Sequence, residues 1–188
     1  MPDLKNARIA VLAADDFEEV ELTKPVEAFR DAGARVDVIA PHGGKLQAMQ
    51  HDQKSIRVEI DRMLQDASPE DYDAVVLPGG ALNADFLRMD GEARRFVQAM
   101  DQDGKVIAAI CHAPWLLVSA ELVAGKTLTS YPTLQDDIRN AGGEWVDREV
   151  VTDGNWITSR KPDDLPAFNR EAMAAVERSL QATAGRGA

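Results

Sequence analysis

Lys105-Val106-Ile107-Ala108-Ala109-Ile110-Cys111-His112-Ala113-Pro114 is the stretch on which the fold turns. Val106 to Ile110 is an unbroken apolar run, the pattern of a strand buried on both faces, and such strands belong to parallel sheets covered by helices. Pro114 suits the first turn of a helix, where a missing N–H costs nothing. A strand that becomes a helix across Cys111-His112 must turn sharply, which lifts a side chain out of the sheet. Sites in open α/β sheets lie beyond the carboxyl ends of the strands, so this elbow is the first place to look for chemistry.

The same alternation continues on both sides. Arg8–Ala14 reads as a strand, and residues 16–32 have helical spacing, with Phe17, Val20, Leu22, Val26 and Phe29 apolar and Gly33 as the stop. Pro25 is expected to kink or break that helix, or to open a second one. Arg35–Ala40 is the next strand, Pro41–Gly44 a turn, and 45–49 and 56–59 short antiparallel strands. Asp73–Leu77 is a strand ending at Pro78-Gly79-Gly80, followed by a loop and then a helix over 90–103. Beyond the elbow come a helix from Pro114 to Leu122, a strand at 127–129 and a helix at 134–141. Two strands then flank Asp153-Gly154-Asn155, and an amphipathic helix spans 163–182. This order predicts an α/β fold with a mostly parallel central sheet covered on both faces. One domain is expected over 1–188, with 1–6 and 184–188 frayed.

Composition narrows the function classes. The 188 residues are 45% hydrophobic and 28% charged, which argues against disorder across the chain. With 21 Lys and Arg against 32 Asp and Glu, the net charge is −11, and such a chain repels phosphate backbones. No nucleic-acid scaffold role is expected. Cys111 is the sole cysteine, so neither an internal disulfide nor a cysteine-based zinc site can form. His42, His51 and His112 lack H-x-x-x-H spacing, and no metal or organic cofactor is expected. No apolar run is long enough to span a membrane, and Met1–Asn6 lacks signal-peptide character, so a cytoplasmic location is expected.

Three loops fall at the carboxyl edge of the sheet: Asp15–Glu19, Pro78–Asp85 and Cys111–Pro114. Free cysteines are commonly buried and inert, but a thiol on an elbow before a helix is placed for activation, and imidazole is its usual partner. Gly79 and Gly80 permit close backbone approach and N–H groups aimed at an oxyanion, or they make an ordinary strand-to-helix turn. Glu18 and Glu19 form a solvated acidic helix start, or one of them turns inward to the thiol. An inward carboxyl must be protonated or hydrogen-bonded to the sulfur. His42 and His51 read as exposed turn residues, and Trp115, Trp145 and Trp156 as packing.

Asp16-Phe17-Glu18-Glu19-Val20-Glu21, Leu77-Pro78-Gly79-Gly80, Ala109-Ile110-Cys111-His112-Ala113-Pro114, Thr129-Ser130-Tyr131-Pro132 and Val150 through Arg160 occur in order. Together they resemble the PfpI family, from about residue 7 to residue 178. The resemblance implies a flavodoxin-like three-layer sandwich. It also implies Cys111 as nucleophile, Glu18 as the acid at the thiol, and backbone N–H groups around Gly79, Gly80 and His112 as the oxyanion site. His112 would pair with an acid from a neighbouring subunit, for which Asp85 is the match, so a homo-oligomer (dimer or hexamer) is implied. Ala113 and Ala84 stand where relatives commonly carry glycine and proline.

The reaction expected from this resemblance is cysteine-dependent deglycase or glyoxalase III-like chemistry on a small carbonyl or glycated substrate, in stress protection. Two alternatives stand beside it: an intracellular cysteine peptidase, and a redox sensor or holdase whose thiol is oxidised. No histidine follows His112, which sets the chain apart from glutamine amidotransferases.

Overall fold

The computed structural model describes residues 2–186. In chain order the elements are β1 (Arg8–Leu12), β2 (Phe17–Glu18), α1 (Glu19–Asp31), β3 (Arg35–Ala40), β4 (Lys45–Gln50), β5 (Gln53–Glu59) and β6 (Arg62–Met63). There follow β7 (Ala74–Leu77), α2 (Ala81–Met89), α3 (Gly91–Gln102), β8 (Val106–Ile110), α4 (Pro114–Ser119) and β9 (Thr127–Leu128). The chain ends with α5 (Gln135–Asn140), β10 (Glu144–Trp145), β11 (Val151–Asp153), β12 (Trp156–Ser159) and α6 (Leu165–Arg186).

A seven-stranded sheet in the order β11-β12-β8-β7-β1-β3-β6 forms the middle layer. Its pairings are parallel except for the β11–β12 hairpin. Chain order reverses between β1 and β7, which puts the loops after β1, β7 and β8 side by side at one edge. Alternate residues face opposite layers. Ile9, Val11, Val76, Ala108 and Ile110 pack with Phe29 of α1 and Phe168 and Val176 of α6. Ala10, Leu12, Val75, Leu77 and Ile107 pack with Leu87 of α2, Phe96 and Val97 of α3, and Leu116 of α4. Each fully buried large side chain contributes about 1.5–3 kcal/mol relative to exposure, so both layers hold the sheet and its carboxyl edge rigid.

Four expectations change. Residues 16–32 are not one helix, because Phe17 and Glu18 pair in parallel with Ala48 and Met49 before α1 starts at Glu19. Pro25 neither breaks nor restarts α1; it sits buried inside it, at the expense of the hydrogen bond its N–H would give the Glu21 carbonyl. The expected loop after Gly80 is a helix, α2, entered through Gly80 at φ 93°. Among the described residues, regular structure and burial reach into the stretches expected to fray, 1–6 and 184–188. Leu4 is fully buried and its N–H donates to Ala32 O at 3.0 Å, while α6 runs through Arg186. Met1, Gly187 and Ala188 lie outside the described residues. No helix among the described residues is long and apolar enough to cross a membrane.

Candidate active site

Cys111 follows directly on β8 with φ 63°, a left-handed conformation rare for a residue with a β-carbon. Strain of about 1–3 kcal/mol persists only where the surroundings over-determine it. Here the Cys111 N–H donates to Ser159 O at 3.0 Å, and Tyr131 N–H donates to Cys111 O at 2.8 Å. The turn aims the thiol back between the loops after β1 and β7, where it is 7% exposed.

The acid at the thiol is Glu21, not Glu18. Glu21 lies on the inward stripe of α1 with Leu22, Pro25, Val26 and Phe29 and is wholly buried. Its Oε2 accepts the Gly79 N–H at 2.8 Å, and its carboxyl meets the Cys111 thiol. Among the described residues, Oε1 has no nitrogen or oxygen partner. Glu18, still in extended backbone as the residue before the helix, turns outward, and its Oε2 accepts His51 N–H at 3.1 Å. The short β2 strand delays the helix and shifts which glutamate faces in. A sequence signal existed: Glu21 is a lone charge four residues before Pro25 and eight before Phe29, on the stripe that must be buried.

Gly79 makes the approach possible, since a β-carbon there would collide with Glu21 Oε2 and lie 2.6 Å from Cys111 Cβ. Its N–H is committed to Glu21, so it leaves the expected oxyanion set. The N–H groups that reach the sulfur are those of Gly80 and His112. Gly80 is pressed against Asp16 O and Glu18 N, each within 3 Å of where its β-carbon would stand. Asn83, which sequence reasoning missed, locks these loops together from α2. It is buried, accepts Ala14 N–H at 2.7 Å, and donates to Pro78 O and Gly79 O at 3.0 and 2.9 Å.

Burial dominates the electrostatics. Desolvation pushes the Glu21 carboxyl from 4.5 up to about 8, partly offset by the Gly79 N–H. Burial also pushes the Cys111 thiol up, and the Glu21 charge adds to this, against the lowering by the Gly80 and His112 N–H groups. The elbow alone therefore does not make a thiolate; α4 is a six-residue helix with little dipole to offer. With Glu21 protonated its repulsion vanishes, and the two N–H donors, the contact with the neutral carboxyl and desolvation act on the sulfur. One carboxyl and one thiol thus share a buried site that disfavours two negative charges at once.

His112 comes to the sulfur, with Nδ1 3.2 Å from Cys111 Sγ. Desolvation lowers its pKa, so at neutral pH it is an uncharged ring able to accept a proton. Its ring stacks on Tyr131, centroids 4.6 Å apart, and meets Trp115 edge-on at 5.5 Å. Asp85 stays apart from this group. It is exposed on α2 and lines a cavity of about 300 Å³ with Asp16, His42, Leu82 and Phe86. Among the described residues, no group of three or more His, Cys, Asp or Glu is arranged to hold a metal ion.

A parallel sheet whose strand-to-helix elbow carries a strained cysteine, with a buried acid and a histidine at its sulfur, defines a class of α/β proteins built around one thiol. The sequence pattern of the DJ-1/PfpI family matches residues 7–175, and the chain belongs to that family. It is 43% identical over 167 residues to "Protein/nucleic acid deglycase 2" of Escherichia coli, covering 88% of this chain and 95% of that one. It is 42% identical over 166 residues to "Putative cysteine protease YraA" of Bacillus subtilis, covering 88% and 96%. Among solved structures, Drosophila melanogaster DJ-1beta superposes with a TM-score of 0.82 at 28% identity, over 94% of this chain and 97% of that one.

Proposed function

We propose that the protein is a cysteine-dependent deglycase with glyoxalase III-like chemistry, acting on small carbonyl compounds such as methylglyoxal or on the adducts they form. The observation that carries this reading is the sulfur's surroundings: a neutral imidazole 3.2 Å away, a protonatable buried carboxyl, and two backbone N–H groups. Cys111 Sγ adds to the aldehyde carbon, its proton passes to His112 Nδ1, and the carbonyl oxygen becomes an oxyanion facing the N–H groups of Gly80 and His112. Reprotonation of that oxygen gives a hemithioacetal. Glu21, which gives its own proton to that oxygen and so becomes a carboxylate, removes the hydrogen from the former aldehyde carbon; the neighbouring carbonyl carbon takes up the proton held by His112, and the hydroxyl proton passes to the neighbouring oxygen, converting the adduct to a thioester. Water then cleaves the S–C bond and releases lactate, restoring the thiol. An acid with a pKa of about 8 is matched to such a shuttle near neutral pH.

The name of the Escherichia coli relative supports deglycase activity, and that of the Bacillus subtilis relative supports the peptidase alternative. The exposed position of Asp85 is compatible with donation to the His112 of a second copy in a homo-oligomer, and a cytoplasmic stress-protection role belongs to the same reading. The test is lactate formation from methylglyoxal by wild type and Cys111→Ala, with adduct assays run against a scavenger of free methylglyoxal. Wild-type turnover abolished in Cys111→Ala supports the proposal, and equal rates overturn it. Casein cleavage that persists through purification and is lost in Cys111→Ser would favour the peptidase.

A further inference from the structure

We propose that Trp115 is a positioning residue for His112, holding the imidazole plane so that Nδ1 stays on the Cys111 sulfur. Within one chain, and among the described residues, the imidazole's one hydrogen-bonding contact is that sulfur, so its plane must be set before any second copy's acid can reach it. A single such contact leaves a ring on a broad, two-fold terminal torsion poorly fixed. Two aromatic neighbours supply the missing restraint. Tyr131 lies against the imidazole face at an interplanar angle of 22°, and Trp115 meets it at 64° from another side. The two rings fix the plane, and the contact with sulfur selects which of the two flipped orientations is occupied.

Trp115 can do this because it is itself held by three helices. It projects from α4, its Nε1–H donates to Asp137 Oδ2 on α5 at 2.7 Å, and the Arg88 guanidinium of α2 lies 5.0 Å from its ring centroid. Arg88 is fixed in turn by its Nε–H, which donates to Ser119 Oγ at 2.9 Å. A base oriented by a further group is the general arrangement of an activated nucleophile. Within the chain the orienting group is aromatic and acts through packing. The sequence reading of Trp115 as packing therefore holds in kind but misses what is packed.

This inference rests on Cys111 and His112 being the reacting pair, so its test reads the thiol directly. Because Cys111 is the only cysteine, iodoacetamide labelling followed by mass spectrometry reports its reactivity without any assumption about substrate. Trp115→Leu is expected to slow alkylation at pH 7 by about tenfold, in line with the cost of a misplaced catalytic group, and to remove the His112 inflection from the rate–pH profile. In a His112→Ala background the same substitution is expected to change the rate less than about twofold, since a residue acting through a partner loses its effect with that partner. Trp115→Phe, which keeps a ring, restores most of the rate. Should melting curves show Trp115→Leu unfolded, Asp137→Ala, which unties the indole, takes its place in both backgrounds. Similar losses with and without His112, or no loss, overturn the inference. Absence of lactate formation in wild type alongside this non-additivity would overturn the proposed reaction and leave the positioning role standing.

Discussion

Two carboxyl groups are buried near the carboxyl edge of the sheet, and the fold treats them in opposite ways. Asp164, 4% exposed, is gripped by Arg160, whose Nε and Nη2 donate to its two oxygens at 2.9 and 3.0 Å, while the Arg160 N–H adds a third bond at 3.0 Å. Arg160 Nη1 also reaches Asp147 at 2.7 Å. Its hydrogen bonds to these carboxylates push the Arg160 guanidinium further up, so it is never without its charge. Glu21 is as deeply buried, yet among the described residues it has one N–H donor, an oxygen with no nitrogen or oxygen partner, and a thiol where a cation would stabilise it. A buried charge with its partner is architecture; a buried acid denied one is kept protonatable, and that distinguishes the reactive site from its scaffold.

The largest expected effect lies on the paired side. Asp164→Ala removes the bidentate partner of a guanidinium that is partly exposed and keeps Asp147, so the expected loss is that of charge-assisted hydrogen bonds, about 1.5–3 kcal/mol. Arg160 follows Ser159, whose carbonyl holds the Cys111 N–H, so the pair also anchors the strand end under the elbow. Urea unfolding of Asp164→Ala, and of Asp164→Leu combined with Arg160→Met, measures this. The double variant is expected to recover part of the loss; equal stability of Asp164→Ala and wild type would remove the contrast with Glu21.

On the unpaired side, Glu21→Gln keeps the shape and an oxygen for the Gly79 N–H but cannot exchange a proton. Turnover is expected to fall about hundredfold, the scale of a lost general acid–base group, without loss of folding. Stability should respond with a definite sign. Below pH 4.5 the carboxyl is protonated in both folded and unfolded chains. From 4.5 to about 8 the unfolded chain releases the proton while the folded one retains it, so wild type loses stability as pH rises, and the loss levels off above about 8. Glu21→Gln lacks this slope, so melting curves of the two proteins diverge across that window. Parallel curves would mean that Glu21 is not held neutral.

The contrast also explains what was legible in the sequence. Strands such as Arg35–Ala40 and Val106–Ile110 follow from local apolar runs, and the elbow thiol from its position between such a run and Pro114. The choice between Glu18 and Glu21 depended on a two-residue strand pairing with Ala48 and Met49, a contact about thirty residues away in sequence, which no local period reveals. The α2 helix was hidden for a related reason. Ala81–Met89 starts at a positive-φ glycine with no side-chain cap, and it exposes Leu82, Phe86 and Met89, so neither boundary nor amphipathic face is written plainly. Asn83 carries no local signal of its role, because its amide bridges loops that only the fold brings together.

Pairing matters here only because of burial, and the smallest expected effect shows it. Lys45 Nζ lies 2.7 Å from Glu59 Oε1 across β4 and β5, shorter than the 2.9 Å Arg160–Asp164 contact, but the two side chains are 53% and 69% exposed against 24% and 4%. Water already solvates both ends, and holding two long side chains in one geometry offsets much of the Coulomb gain. Glu59→Gln should therefore change stability by less than about 1 kcal/mol, and less still at high salt. A loss comparable to that of Asp164→Ala would make distance rather than desolvation the governing variable. The unpaired, buried state of Glu21 would then cease to mark it as the reactive acid.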